Sequence, residues 1–387
     1  MKEEFKIRDI AAILGLEVLK TQGRNTLCVC PFCGDSRGKF AFREDRNLYN
    51  CFHCDEKGNA FSLYKKIRGI SDSKEAAKEI YKELGEGIPN LEVKEYHKVE
   101  QVDKKPNAYL NKVYKTMLSM LELNPEHKAD LIRRGLTEAQ IKWYGFKSVP
   151  KDKIGLCKNL LKKGFNLEGV PGFYYNSKYK SWNISAQSGY FCPVYNDRDI
   201  IGFQIRVDNP KDGAKYLWFS SLNCSSGGLV TSLKGKKEEI TIITEGILKA
   251  SIVYALLKGR VTVIGVPGIK VINGLKPMLK GYNGFCYEAY DMDKAIESND
   301  EKEMKKSQNI LKASNELIEI LENMDIPTSS LSWDFDKKAY WNGNHKGLDD
   351  FLLALGEEKV INKFLPYIEE KASKKLKLKN FLKEKSI

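Results

Sequence analysis

No apolar run in these 387 residues approaches the ~20 consecutive apolar positions that a bilayer-spanning helix needs. The start, MKEEFKIRDI, carries acids where a secretory signal has none. A cytoplasmic location is therefore expected, with no membrane partner. No G-x-x-x-x-G-K-[ST] phosphate loop occurs, which excludes a fused P-loop motor, and Gly265-Val-Pro-Gly268 reads only as a turn. Acids are in the minority: 51 Asp and Glu stand against 64 Lys and Arg, a formal charge of +13. The resulting pI near 9.0 favours a polyanionic partner, nucleic acid first, although solubility or Lys-rich codon usage would give the same charge. Apolar content of 42% is that of an ordinary globular protein, and the length accommodates two or three domains.

What is present begins with cysteine. Cys30-Pro-Phe-Cys33 is followed, seventeen residues later, by Cys51-Phe-His-Cys54. Two C-x2-C knuckles at that separation are the ligand set of a tetrahedral zinc ribbon, since each knuckle turns the backbone beneath the metal and delivers two thiolates at once. Four protein ligands fill the zinc sphere, so this metal should hold structure and any reaction should lie elsewhere. His53 and Cys28 flank the set and are not expected to replace a ligand. Nine cysteines is an odd number, and the scattered Cys157, Cys192, Cys224 and Cys286 fit reduced thiols in a reducing compartment.

Ile10, Ile13, Leu14 and Leu16 suggest an opening amphipathic helix, and a second spans about Phe61 to Ile67. Between the knuckles, Lys39 to Arg43 and Leu48 to Asn50 alternate as short strands around a polar turn. Gly87, Pro89 and Pro106 mark a charged tether from 85 to 107. Helices follow over Lys112 to Leu123 and Ala129 to Trp143. Then comes a hairpin of Tyr190–Tyr195 and Ile200–Val207, with Arg206 and Lys215 placing positive charge beside the sheet.

The next stretch alternates strand and helix: Ile240–Thr244, helix to Lys258, Val261–Val266, Phe285–Tyr290, a long helix from Glu303 to Glu322, and a short strand Ser330–Trp333. This predicts an α/β domain with a mostly parallel sheet. Acids sit where such a sheet puts its active site, at the carboxyl ends of strands: Glu245 after the first, Asp291 and Asp293 after the third. Asp349 and Asp350 open a further helix that would reach the same edge. Clustered carboxylates repel unless a cation neutralises them, so the set reads as a magnesium or manganese site for phosphoryl chemistry. Taken singly, Asp349 could be no more than a helix cap.

Thr244-Glu245-Gly246 after an apolar strand, with Asp291-Met-Asp293 after a later one, resembles the Toprim domain shared by bacterial primases, topoisomerases and some nucleases. The upstream Cys30-Pro-Phe-Cys33, Lys39-Phe-Ala-Phe-Arg43, Tyr49-Asn-Cys51-Phe-His-Cys54 and Gly58-Asn-Ala-Phe61 are similar to the zinc module of DnaG-type bacterial and phage primases. Arg134-Gly-Leu-Thr137, Phe191-Cys-Pro-Val-Tyr195, Ile201-Gly-Phe-Gln-Ile-Arg206 and Lys215-Tyr-Leu217 resemble the start and basic subdomain of the primase core. The likeness runs from about residue 5 to 355 in the family's order.

The resemblance implies a multidomain α+β and α/β protein. Its parts would be a zinc ribbon (1–84), a linker (85–107), a mixed α+β basic subdomain (108–235), a Toprim catalytic domain (236–365) and a Lys-rich tail (366–387). It implies synthesis of short RNA primers from nucleoside triphosphates on single-stranded DNA. Glu245, Asp291 and Asp293 would bind the metals, with one of Asp349 and Asp350 also functional. Arg206, Lys215 and Lys249 would grip phosphates. Arg37, Lys39 and Arg43 of the ribbon would contact template beside Phe40, Phe42 and Tyr49, although strand alternation leaves open how many of those rings are core. Lys249 stands where the family usually has an acid, and Met292 where it commonly has Gly, so the number of catalytic metals stays open. The build resembles compact primases of phages and mobile elements, with a helicase or initiator supplied in trans. Two rival readings remain: a single-strand-binding replication factor on a Toprim-like scaffold that has lost catalysis, and a Toprim nuclease.

Overall fold

The computed structural model of the protein describes residues 5–384 apart from 55, 86–101, 178, 211–214, 222, 269–273, 297, 299, 335–340 and 342. Most of the expected linker and the last three residues of the expected tail lie outside the described residues. The chain divides into two compact units, Met1–Val99 and Glu100–Ile387.

In the first unit, α1 (Ile7–Ile13) precedes a five-stranded antiparallel sheet in sequence order: β1 (Val18–Gln22), β2 (Asn25–Cys28), β3 (Phe40–Arg43), β4 (Leu48–Cys51) and β5 (Lys57–Asn59). Two helices follow, α2 (Ala60–Arg68) and α3 (Ser73–Gly85). Asn59 caps α2 through a capping box with Ser62, each side chain accepting from the other's backbone N–H at 2.9 Å. Phe40, Phe42, Tyr49, Leu63, Tyr64 and Ile80 close one small core between sheet and helices.

The second unit opens with helices α4 (Asn107–Ser119), α5 (Pro125–Arg133) and α6 (Glu138–Tyr144), then β6 (Lys147–Ser148) and α7 (Lys153–Lys162). The single helix expected over 129–143 is two. Gly135 sits at φ +94° between α5 and α6, a conformation that ends a helix, and a Cβ there would meet the Leu353 side chain at 2.8 Å. A small hairpin, β7 (Phe173–Asn176) with β8 (Ser181–Ile184), precedes the strands β9 (Gly189–Asn196), β10 (Asp199–Val207), β11 (Tyr216–Trp218) and β12 (Thr231–Leu233).

The α/β part comprises β13 (Lys237–Glu245), α8 (Ile247–Leu256), β14 (Val261–Val266), α9 (Leu275–Met278), β15 (Phe285–Ala289), α10 (Glu301–Asn323), β16 (Thr328–Ser330), α11 (Leu348–Leu355), a short α12 (Glu357–Lys359) and α13 (Leu365–Glu384). One sheet runs through the whole unit in the order β11-β10-β9-β12-β14-β13-β15-β16, with β6 beside β9. Strands β14, β13, β15 and β16 are parallel, while β9 to β11 are antiparallel. The sheet is therefore mixed, and its parallel half is the predicted α/β layer. Ile242 faces a core shared with α8, α11 and α13, whereas its neighbour Ile243 faces α9 and α10, the alternation of a strand covered on both sides. The short strand expected at 330–333 ends at Ser330; Leu331 and Trp333 are buried in the core beyond it.

Candidate metal centres and nucleic-acid interface

Cys30 follows β2 and Cys51 closes β4, so the β2–β3 and β4–β5 connections bring the two knuckles face to face. The four Sγ atoms of Cys30, Cys33, Cys51 and Cys54 all lie within 4.8 Å of one another. Cys30 to Cys54 is 3.8 Å and Cys33 to Cys51 is 4.0 Å. A tetrahedral zinc with Zn–S bonds near 2.3 Å requires sulfurs about 3.8 Å apart, so the site fits zinc. His53 Nδ1 lies 3.3 Å from Cys33 Sγ, touching a ligand, and Cys28 is sealed in the core, where burial pushes its thiol up to about 12. Neither displaces one of the four.

Around this site the expected basic residues are partly engaged. Arg37 donates from Nε to the buried Asp35 at 2.7 Å, and Arg43 forks onto Asp45 at 2.9 and 2.5 Å. Burial works against the charge on Asp35, yet the Arg37 hydrogen bonds hold its carboxyl below the usual range. Lys39 is exposed. Phe40, Phe42 and Tyr49 are 0, 1 and 2% exposed, which removes them as stacking surfaces. The two phenylalanines share one face of β3 at i and i+2, and that face is the core. The free ring is Phe52, 75% exposed inside the second knuckle, which sequence reasoning passed over.

In the second unit Glu245 is the last residue of β13, and Asp291 follows β15 by two positions. Gly246 turns the chain into α8 at φ +90°, with its N–H donated to Val266 O at 2.6 Å. Asp291 sits at the N-cap of a 3-10 turn, Met292–Ala295, that carries Asp293 and whose Met292 N–H bonds Lys346 O at 2.8 Å. That bond ties the Asp pair to the loop leading into α11, where Asp349 is 8% exposed and Asp350 faces solvent.

Three lysines lie among these acids. Lys249, from the first turn of α8, is ion-paired with Asp291, and Lys346 lies 3.5 Å from Asp291 and 2.8 Å from Asp293. Lys306 of α10 reaches Asp293 at 2.9 Å. Burial and then the charge of Asp291 raise the Glu245 carboxyl above its ordinary range, partly offset by Lys249. Burial, offset by Lys249, lifts Asp349 to about 6. Burial disfavours the Lys249 charge, yet Asp291 and Asp349 hold that ammonium more firmly protonated than usual. Asp293 Oδ1 and Asp349 Oδ1 are buried without a hydrogen-bond partner among the described residues. Buried, unpartnered carboxylate oxygens beside a raised glutamate suit a hard dication. The carboxylates are more open than the cysteine set: among the described residues, only the four cysteines bring three or more potential ligand atoms within 4.8 Å.

Behind the Asp pair lies an ion pair that the sequence did not suggest. Glu288 in β15 is 0% exposed, and its carboxylate accepts from Lys294 Nζ at 2.8 and 2.6 Å, from Ser330 Oγ at 2.6 Å and from Tyr290 N at 2.7 Å. Lys294 closes the loop bearing Asp291 and Asp293 back onto its own strand.

On the antiparallel half, β10–β11 pairing sets Arg206 opposite Tyr216, and Val207 N bonds Lys215 O at 3.1 Å. Arg206 stacks over Tyr216, 5.4 Å from ring centroid, and lies 3.5 Å from Asp130. Asp130 also accepts from Arg134 at 3.1 Å and from Tyr190 Oη at 2.9 Å. Asp130 thus organises a guanidinium pair of which sequence reasoning named only Arg206. Lys215 is exposed.

Residues 1–96 match the CHC2 zinc finger family. The N-terminal unit is a CHC2 zinc ribbon. A DNA primase of Halalkalibacterium halodurans is 30% identical over 164 residues, 41% of this chain and 27% of the relative. One from Clostridium acetobutylicum is 25% identical over 298 residues, 75% of this chain and 49% of the relative. The chain is a relative of the DnaG-type primases. It spans between about a quarter and a half of those relatives' length. Among solved structures, the zinc-binding and RNA polymerase domains of the Aquifex aeolicus primase align over 93% of this chain and 82% of that one, at 18% identity and a TM-score of 0.48. The DnaG primase catalytic domain bound to single-stranded DNA aligns over 68% of this chain and 79% of that one, at 15% identity and a TM-score of 0.44. No helix among the described residues is long and apolar enough to cross a membrane.

Proposed function

We propose that this protein is a cytoplasmic DNA primase that builds short RNA primers from nucleoside triphosphates along a single-stranded DNA template, recruited by a helicase or initiator supplied in trans. The observation that carries the reading is the acidic edge: Glu245, Asp291, Asp293 and Asp349 converge where parallel strands end, each feeling the charge of Asp291 or its neighbours. Glu245, Asp291 and Asp293 would hold magnesium or manganese, with Asp349 rather than the exposed Asp350 as the nearer helper. Such a metal, when bound, acidifies the attacking 3′-hydroxyl and stabilises the leaving pyrophosphate.

The chain's own residues do the rest. Lys249, Lys306 and Lys346 neutralise the carboxylates in the free protein, and Lys346 and Lys306, on flexible stems, are placed to turn from Asp293 to incoming triphosphate oxygens. Arg206, held by Asp130 and Tyr216, and the exposed Lys215 offer a preset cationic strip for template phosphates. The ribbon contributes Lys39 and the exposed Phe52, charge and a stacking ring close together, for choosing a start site.

The test is incubation of purified protein with single-stranded templates of varied sequence, magnesium or manganese, and labelled ribonucleotides, beside Glu245→Gln and Asp291→Asn. Short products lost in both variants support the reading. Intact DNA binding with no product on any template points to the non-catalytic scaffold, and shortened DNA without added nucleotides points to a nuclease.

A further inference from the structure

A second cationic site lies at the opposite end of α8 from the acids. A cleft of about 1420 Å³ opens between α4, α6, the β9–β10 turn and the segment joining β12 to β13. Seven of its lining residues are Lys or Arg and two are acids. Lys142, Lys147, Arg198 and Lys236 have no ion-pair partner among the described residues, while Lys234 has only a distant one, Glu238 at 3.9 Å. A globular surface normally intersperses the two signs, so unpaired cations gathered in one concavity mark a site for a polyanion.

The second observation is aromatic. Trp143 on α6 is 60% exposed within this cleft, and its indole lies against Tyr195 at 6.2 Å with the planes 20° apart. The indole is thus propped by Tyr195 along one face and by Tyr144 edge-on at 4.8 Å, and most of what remains is left to water. An indole buries well, and solvent exposure on this scale in the midst of lysines is the arrangement that stacks a nucleobase while its phosphates meet cations. The cleft exceeds the roughly 300–1,000 Å³ of a small-molecule site, which favours several linked nucleotides over a single one.

Position narrows the role. Glu245 ends β13 and Lys236 precedes its start, so the two sites are separated by the length of a nine-residue strand, about 26 Å, or by the ~15 Å of α8. That distance is several nucleotides of a single strand. Resting on the primase reading above, we propose that the cleft is a second anchor for the single-stranded DNA template, gripping it several nucleotides away from the point of synthesis through Lys142, Arg198, Lys234 and Lys236, with a base on Trp143.

The experiment uses the full chain and needs neither nucleotides nor magnesium. Binding of a labelled dT20 strand is followed by anisotropy at several salt concentrations, for wild type, for Lys142→Glu/Arg198→Glu/Lys236→Glu, and for Trp143→Ala. All these side chains are exposed, and thermal melts show that the variants fold. The triple variant should lose at least tenfold in affinity near 150 mM salt, with the log–log salt slope shallower by about 2, three phosphate contacts at ~0.7 each. Trp143→Ala should lose about tenfold, and dT20 should quench wild-type tryptophan emission but not that of Trp143→Phe. A wild type that binds while the folded triple variant keeps the same affinity and slope overturns the anchor alone. Losses confined to a matching rU20 strand overturn its assignment to template DNA. A wild type that binds no single strand at all sinks the parent reading with it.

Discussion

Replacing Lys294 with Met should be the most destabilising single change near the acidic edge, although Lys294 is none of the expected ligands. Glu288 is 0% exposed and Lys294 only 8%, so the new apolar side chain would leave a carboxylate in the sheet with two neutral donors, Ser330 Oγ and Tyr290 N–H, and no countercharge. Removing one partner of a buried pair typically costs about 3–5 kcal/mol, because the desolvation of the survivor is no longer offset. For a unit of this size that should lower Tm by roughly 5–15 °C. Glu288→Gln with Lys294→Met keeps an oxygen to accept from Tyr290 N–H, lets the Ser330 hydroxyl rotate to accept from the new amide N–H, and removes the stranded charge, so the double variant should recover most of the loss. The assay is differential scanning calorimetry of the three variants, read beside product formation at 20 °C. There the single variant should fall by about 10²-fold, since losing Lys294 releases the turn that carries Asp291 and Asp293, and a displacement of about 1 Å costs that much. A Lys294→Met protein that melts within 2 °C of wild type, or a double variant no better than the single, would show that the pair is solvated in practice and that the reasoning is wrong.

Three further outcomes follow from the zinc ribbon and the acidic edge. Stripping zinc with a strong chelator, or Cys51→Ser, should unfold residues 5–85 while leaving the second unit's transition in place, because a core as small as that around Phe40 and Tyr64 depends on its metal; zinc content near one per chain and trypsin sensitivity confined to the N-terminal unit are the readouts. Asp349, with its folded pKa raised to about 6 from 3.8, opposes folding as pH rises through that window: the penalty is absent below about pH 4 and complete above about pH 6. Asp349→Asn should therefore gain stability over wild type at pH 7.5 and not at pH 4 in magnesium-free urea titrations, and an equal gain at both would contradict the assignment. Lys249→Gln frees Asp291 from its ammonium and should tighten manganese binding about tenfold by calorimetric titration, with no change if Lys249 already swings clear in solution.

The zinc centre was legible because its chemistry is local: two knuckles each place two thiolates, and only a strand pair is needed to bring the halves together. The acidic edge was legible for a related reason. A buried strand announces itself by Val, Ile and Tyr, and whatever follows its last residue lies at the sheet's carboxyl end whichever strands neighbour it. Facing is harder. Lys39 to Arg43 alternates visibly, yet nothing within those five residues says which side meets α1 and α2, so the sequence left open how many of Phe40, Phe42 and Tyr49 are core; all three are. The split of 129–143 turned on Gly135, whose positive φ serves a contact with Leu353, more than two hundred residues on. The helix α13 went unread for the opposite reason. Its six lysines after position 370 masked Leu365, Ile368, Ala372 and Leu376, a helical stripe that packs under the sheet.

The cations at the acidic edge are the least legible feature and the one with most bearing on chemistry. Lys249, Lys306 and Lys346 come from α8, α10 and the loop before α11, three segments with no sequence relation to one another, and each lands on an Asp that follows β15. An edge that carries its own ammonium groups is close to neutral before any metal arrives, which tolerates the burial of Asp293 and Asp349 without strong mutual repulsion. The same neutrality means that a dication must compete with Lys249 for Asp291. Lys346 and Lys306 are about half exposed and can rotate away to meet phosphates, whereas Lys249 is largely enclosed and packs against Gly347 at the mouth of α11. Of the three, Lys249 is therefore the cation that would stay beside Asp291 while Lys306 and Lys346 turn to phosphates.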